Sequence, residues 1–151
     1  MNRLILLAIG LAALADVSGG AAAPGLKEGK KEESDVQKLE GDWTIESWVQ
    51  FGQPINAKWT WSFKGEKYTL DQGTNLEEGT IKLDPKKEPP VMDLDITGGN
   101  CRGKAQPGIY KLDGDALTLC FAWPGDTDRP TEFASTADKR WVLITLKRAK
   151  K

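Results

Sequence analysis

Apolar and polar residues alternate in short runs from about residue 43 to residue 146, and Gly, Pro and Asp interrupt the runs at close intervals. Period-2 alternation sends successive side chains to opposite faces of a strand, so the pattern predicts antiparallel sheet over nearly this whole stretch. The predicted strands are 43–51, 58–63, 66–71, 78–83, 91–97, 108–112, 115–122 and 141–146. In the first, Trp43, Ile45 and Val49 share a face; in the fifth, Met92, Leu94 and Ile96 oppose Asp93 and Asp95. Gln53-Pro54-Ile55-Asn56 and the prolines of 84–90 read as breaks, because proline lacks the donor a strand ladder needs.

Two tight turns set the pairing. Lys64-Gly65 and Asp113-Gly114 each read as a two-residue hairpin loop, since glycine accepts the positive φ such loops require. Those registers place Trp61 opposite Tyr68, Trp59 opposite Leu70 and Tyr110 opposite Leu117, all on the apolar face. Eight strands close an all-β, antiparallel up-and-down barrel, whose interior fills with side chains or holds one small ligand. Closure also removes exposed edges; an open sandwich is the alternative. Residues 36–40 are long enough for one helical turn leading into the sheet.

The ends of the chain add a destination. Arg3, the apolar run 4–15 and Ala21-Ala22-Ala23 have the three-part layout of a secretory signal peptide, read as 1–22. The run is too short to span a bilayer, so no integral membrane span is expected once it is removed. Residues 23–35, rich in Gly, Lys and Glu without an aromatic, read as a disordered flexible linker. The barrel domain is then 36–148, followed by a basic tail at 149–151. The net charge of −1 gives no long-range field for nucleic acid. The expected location is periplasmic or extracellular.

Candidate chemistry is sparse. The chain has no histidine, which removes Ser-His-Asp and Cys-His catalysis in their usual form and His-ligated zinc or haem with them. No catalytic constellation, metal site or cofactor is assigned. The aspartate pairs 93/95, 113/115 and 126/128 lack a complete calcium-loop pattern and read as strand faces and turns. Cys101 and Cys120 are the only cysteines and the candidate disulfide of an exported protein. The hairpin register puts Cys120 opposite Pro107, six residues from Cys101, which is on the order of 20 Å at about 3.3 Å per residue. Bridging would need a loop at 98–100 that folds back, so Cys120 reads first as a small core residue. Trp59, Trp61, Tyr68 and Tyr110 are the candidate lining for an aromatic ligand site. Trp48 and Trp123 fall where exposure is expected. In the 123–133 loop, Arg129 is the candidate carboxylate clamp and Glu132 its candidate partner, as a ligand lid or a structural salt bridge.

Gly41-Asp42-Trp43 resembles the Gly-x-Trp opening of lipocalin-type barrels, in which the Trp packs across the closed end beside a basic residue near the last strand; Arg148 matches that partner. Residues 39–43, 63–68, 79–85, 108–115, 117–122 and 129–133, taken in order, resemble a family of small, secreted, uncharacterised lipocalin-like domains expanded in planctomycete bacteria. The resemblance covers about 39–148 and implies fold and export, with no reaction, ligand or functional residue to carry over. Cys101 and Trp123 depart from that pattern. The functional reading is a secreted barrel that binds a small apolar or amphipathic molecule. The alternative is an envelope or extracellular protein-interaction module with a filled core and no ligand. When the full chain is expressed in a secreting host, N-terminal sequencing of the exported protein is expected to begin at Ala23, one residue after the Ala22 cleavage site; an unprocessed Met1 on the exported form would refute the leader.

Overall fold

In the computed structural model the described residues are 32–150, so the signal-peptide assignment and most of the linker assignment lie outside them. Helix α1 is Asp35–Leu39, and the strands are β1 Gly41–Gln50, β2 Gln53–Ile55, β3 Thr60–Lys64, β4 Lys67–Asp71, β5 Leu76–Asp84, β6 Val91–Gly98, β7 Ala105–Asp113, β8 Ala116–Ala122 and β9 Trp141–Arg148. Every neighbouring pair is antiparallel, and β9 pairs back onto β1. The result is a closed eight-stranded up-and-down barrel, with β2 as an extra strand on the far half of β1. The segment 53–56, which its proline marks as a break, thus supplies a short strand; Pro54 sits on the sheet edge, where no ladder donor is missed.

Both hairpins are two-residue loops displaced by one position from the expected ones. The loops are Gly65-Glu66, closed by Lys64 opposite Lys67, and Gly114-Asp115, closed by Asp113 opposite Ala116. Glycine occupies the first central position in each, with φ of 59° and 61°. Trp61 therefore pairs with Leu70, Phe63 with Tyr68 and Tyr110 with Leu119. Moving a loop by one residue shifts the pairing by two, which leaves every side chain on its expected face. A bulge has the opposite effect. Thr145 pairs with Ser47 while Leu146 pairs with Ile45, leaving Glu46 as an extra residue of β1. Beyond it the faces exchange: Trp48, opposite the core residue Ile144, packs on the core, and Val49 leaves the face it was expected to share with Trp43.

Helix α1 caps one end of the barrel, called here the closed end. Ser34 and Asp35, assigned by composition to the linker, belong to this cap. Ser34 and Gln37 form a reciprocal capping box, and the Tyr110 hydroxyl donates to Asp35 Oδ2 at 2.5 Å. The Trp43 indole donates to Leu39 O at 2.8 Å. Arg148 lies across the Trp43 ring, its Cζ 4.4 Å from the centroid, and donates to Lys38 O at 2.7 Å and Glu40 O at 2.9 Å. The guanidinium so satisfies carbonyls that a helix C-terminus leaves without partners.

The barrel interior is packed by matching large residues to glycines. Trp61 lies 6.0 Å from both Phe63 and Phe121 and 5.8 Å from Tyr68, ring centre to ring centre. Tyr68 rests over Gly79 and Phe121 over Gly108, where an added Cβ would fall 2.7 Å and 2.2 Å from the respective rings. The Trp61 indole N–H has no hydrogen-bond partner among the described residues, so ring volume is buried at the expense of a donor. A second, smaller cluster lies outside the wall: Ile109, Cys120 and Trp141, covered by Phe133 and Leu143. Gly108→Ala is expected to destabilise the domain by about 1–3 kcal/mol in urea unfolding, because a methyl group overpacks the Phe121 site. Phe121→Leu in that background is expected to recover part of the loss, and additive losses would refute the account.

Candidate functional site

Up-and-down connectivity sorts the loops. The hairpins β3–β4, β5–β6 and β7–β8 share the closed end with α1; the turns β1–β2, β4–β5 and β6–β7 and the start of the β8–β9 connection form the opposite, open end. The sequence-predicted residues divide among three places.

The first place is the interior. Trp61, Tyr68 and Tyr110 are each no more than 2% exposed and pack against neighbouring core residues, so they form the core rather than the wall of a ligand space. Glu77, which the sequence reading did not single out, is inward-facing and buried near the open end, and accepts a hydrogen bond from the Tyr68 hydroxyl at 2.9 Å. Burial raises the Glu77 carboxyl above its ordinary value of 4.5, and the Tyr68 bond opposes that rise only in part. Burial, followed by the charge and hydrogen bond of Glu77, pushes the Tyr68 hydroxyl up as well. Strand alternation alone carries the signal for Glu77, which falls on the same face as Gly79 and Ile81.

The second place is the outer wall. The 123–140 connection does not lid the mouth; it runs along the outside of β6–β9. Arg129 donates to Asp93 Oδ1 at 2.6 Å and to Gly108 O at 2.9 Å, and the Trp141 indole donates to Asp128 O at 3.1 Å. Asp93 therefore replaces Glu132 as the partner of Arg129, and Glu132 is exposed. The two partners lie 36 residues apart, out of reach of a local reading. Both are more than a third exposed, so the pair fixes the loop's position and contributes little to stability. A groove of about 700 Å³ runs beside this loop between Glu66, Lys82, Asp95 and Asp126. Cys120 lies beneath the loop, its thiol donating to Ala134 O at 3.3 Å. Cys101 lies in the β6–β7 turn near Glu77, and both cysteines are free thiols. The disulfide candidate is therefore not formed: β8 pairs Cys120 with Ile109, eight positions from Cys101.

The third place is the rim of the open end. Trp59 is half-buried and meets Trp48 edge to face at 4.9 Å. The β1–β2 loop is Phe51-Gly52, closed by Gln50 opposite Gln53, with φ of 52° and 79°. Positive φ at both central positions is the type I′ requirement that Asn-Gly normally meets. Phe51 meets it at a steric cost and packs on Trp123 at 5.0 Å. Gly52 N–H donates to Ser135 Oγ at 3.0 Å, which ties the hairpin tip to the β8–β9 connection. Trp48 Nε1 donates to Gln50 Oε1, and Asn75 joins Gln72 through its side chain and the Asn100 backbone N–H.

Fold and site define a class: a closed, aromatic-filled up-and-down β-barrel with an aromatic and amide rim at one end. No family model, curated protein or solved structure matches the chain. Among the described residues no helix is long and apolar enough to cross a membrane, and no three His, Cys, Asp or Glu side chains gather as a metal site.

A carboxyl held above its unfolded-state value favours folding when protonated. Its contribution is complete below about pH 4 and is lost as pH rises through the raised folded value. Glu77→Gln keeps an acceptor for Tyr68 and removes the ionisation. Its melting temperature relative to wild type is therefore expected to climb between pH 4 and pH 8. A pH-independent difference would refute burial as the cause.

Proposed function

We propose that this protein is an exported binding module whose barrel interior is purely structural and whose recognition surface is the rim of the open end. One contrast carries the reading: aromatic rings occupy the middle of the barrel, while another aromatic is held at the rim in an unfavourable backbone conformation. Left-handed backbone costs an ordinary residue roughly 1–2 kcal/mol, and Asn or Gly at position 51 would avoid that cost. Strain of this kind gathers where a side chain has to be presented. The Trp123 ring, just beyond β8, supports Phe51 across the end of β9, and Ser135 pins the tip, so the platform is held in place before any partner arrives. Export rests on the leader-like residues 1–22, and the resemblance to lipocalin-type barrels supports a scaffold that presents its loops at one end.

Phe51→Asn and Trp123→Ala test this directly. Relief of backbone strain offsets the lost ring contact in Phe51→Asn, so its stability is expected to stay within about 1 kcal/mol of wild type. Both variants are expected to lose retention on extracellular polymer from the producing cells by at least about tenfold. Trp61→Phe is expected to lower the melting temperature and leave retention unchanged. A stoichiometric complex with a fatty acid or an anilinonaphthalene dye, weakened by Trp61→Phe and untouched by both rim variants, would return the site to the barrel interior and overturn the reading.

A further inference from the structure

Amide side chains are distributed unevenly over the fold. Of the eight Asn and Gln residues in 32–150, seven stand at the open end, and Gln37 in α1 is the exception. Gln50, Gln53 and Asn56 follow the β1–β2 hairpin, Gln72 and Asn75 the β4–β5 turn, and Asn100 the β6–β7 turn. Turn propensity explains Asn in loops but not glutamine, which has little preference for turns. Nor are these amides consumed by structure. Gln53, Asn56 and Asn100 are exposed. Asn75 and Gln72 hold each other through one donor and one acceptor at 2.5 Å, which leaves each amide further hydrogen-bonding capacity. Gln106 alone is fully buried, bonded to Ala122 O at 2.8 Å.

These amides are interleaved with flat rings. In strand order round the rim, Gln50 and Gln53 flank Phe51; Trp59 directly precedes β3, whose Thr60 pairs with Asp71 beside Gln72; Trp123 directly follows β8. Rings present an apolar face to C–H groups, and amides offer paired donors and acceptors without charge. The ligand that needs both at once, on a shallow surface rather than in a deep cavity, is a sugar chain. Its ring faces carry C–H groups and its edges carry vicinal hydroxyls. Anionic polymers would call for cations stacked on the rings, whereas the contacts made by the rim rings are Gln50 with Trp48, Trp48 with Trp59 and Phe51 with Trp123; a charged comparator in the test addresses the cations that stand nearby. Lys58, Arg102 and Lys104 are exposed among them, and none has an ion-pair partner among the described residues.

We infer that the rim binds a neutral, polyhydroxylated glycan, its sugar faces stacked on Phe51, Trp59 and Trp123 and its hydroxyls taken by Gln53, Asn56 and the Gln72–Asn75–Asn100 set. This deepens the surface-binding reading above and rests on it. Affinity electrophoresis in gels containing soluble starch, xylan, dextran or galactomannan, with alginate and heparin as anionic comparators, is the test, using the folded exported chain. Retardation by at least one neutral polymer is expected, insensitive to 0.5 M salt, and weakened about threefold or more by Gln53→Ala and by Asn56→Ala. Those two positions are exposed, so the variants are expected to melt like wild type. Trp59→Ala, which also loosens the Trp48 contact, is read only alongside them.

A parallel arm separates the two levels of the proposal. Polymer from the producing cells is treated with periodate, which cleaves vicinal diols, or with protease. Binding lost after periodate and kept after protease supports a glycan. Binding lost after protease, or retardation confined to alginate and heparin and abolished by salt, overturns the neutral glycan while the rim reading stands if Phe51→Asn still abolishes it. Binding that none of the rim variants changes overturns both.

Discussion

Arg148 holds together parts of the chain that would otherwise have no reason to meet. Its guanidinium lies over the Trp43 ring and gives its donors to two carbonyls at the end of α1 and to Asp115 Oδ1 at 2.9 Å. The last strand, the first strand, the capping helix and the start of β8 are therefore fixed against one planar group. Arginine suits this position because its fork serves several acceptors while its face stacks on an indole, which a lysine ammonium cannot do. Once the first and last strands are joined, each of the eight barrel strands has two neighbours, and the interior becomes a closed volume to be filled.

Filling follows a simple geometric trade. The rings of Tyr68 and Phe121 occupy space released by Gly79 and Gly108 on the opposing strands, so bulk on one strand is matched by its absence on the next. Trp61 completes the stack although its N–H finds no acceptor among the described residues, so packing outweighs hydrogen bonding at that point. The outer wall obeys the same logic at smaller scale, with Cys120 and Trp141 kept from water by the β8–β9 connection that Arg129 clamps to Asp93. With the inside and one flank committed to stability, the open end is where side chains stay free to contact something else.

The alternation of apolar residues made the architecture legible, because face assignment survives any error that is a multiple of two. The displaced loops at Gly65 and Gly114 are such errors: the turn residues were right and their positions within the turn were not. The Glu46 bulge was not legible, since an extra residue has no composition of its own, and it altered the faces of Trp48 and Val49. Of the candidate site residues, Trp61, Tyr68 and Tyr110 were correctly placed inside, yet alternation cannot distinguish a packed interior from a hollow one. Trp59 and Trp123 reach the rim. Arg129 forms the structural salt bridge weighed against a ligand clamp, and its partner is Asp93, from a distant strand, rather than Glu132. Phe51 is not legible in the sequence, because what sets it apart is a backbone angle that its residue type argues against.

The same junction has a bearing on the order of events during synthesis. Ser47 on β1 meets Thr145 on β9 across 98 residues, and Lys38 meets Arg148 across 110. Contacts of that span form late, because the intervening chain has to be drawn in first. The aromatic stack contains Phe121 of β8, so it too waits for the end of the domain. A nascent chain lacking β9 has its interior rings in hand with no wall to enclose them. For most of its time on the ribosome this protein is an unfinished sheet, and its interior closes only after almost the whole domain has emerged.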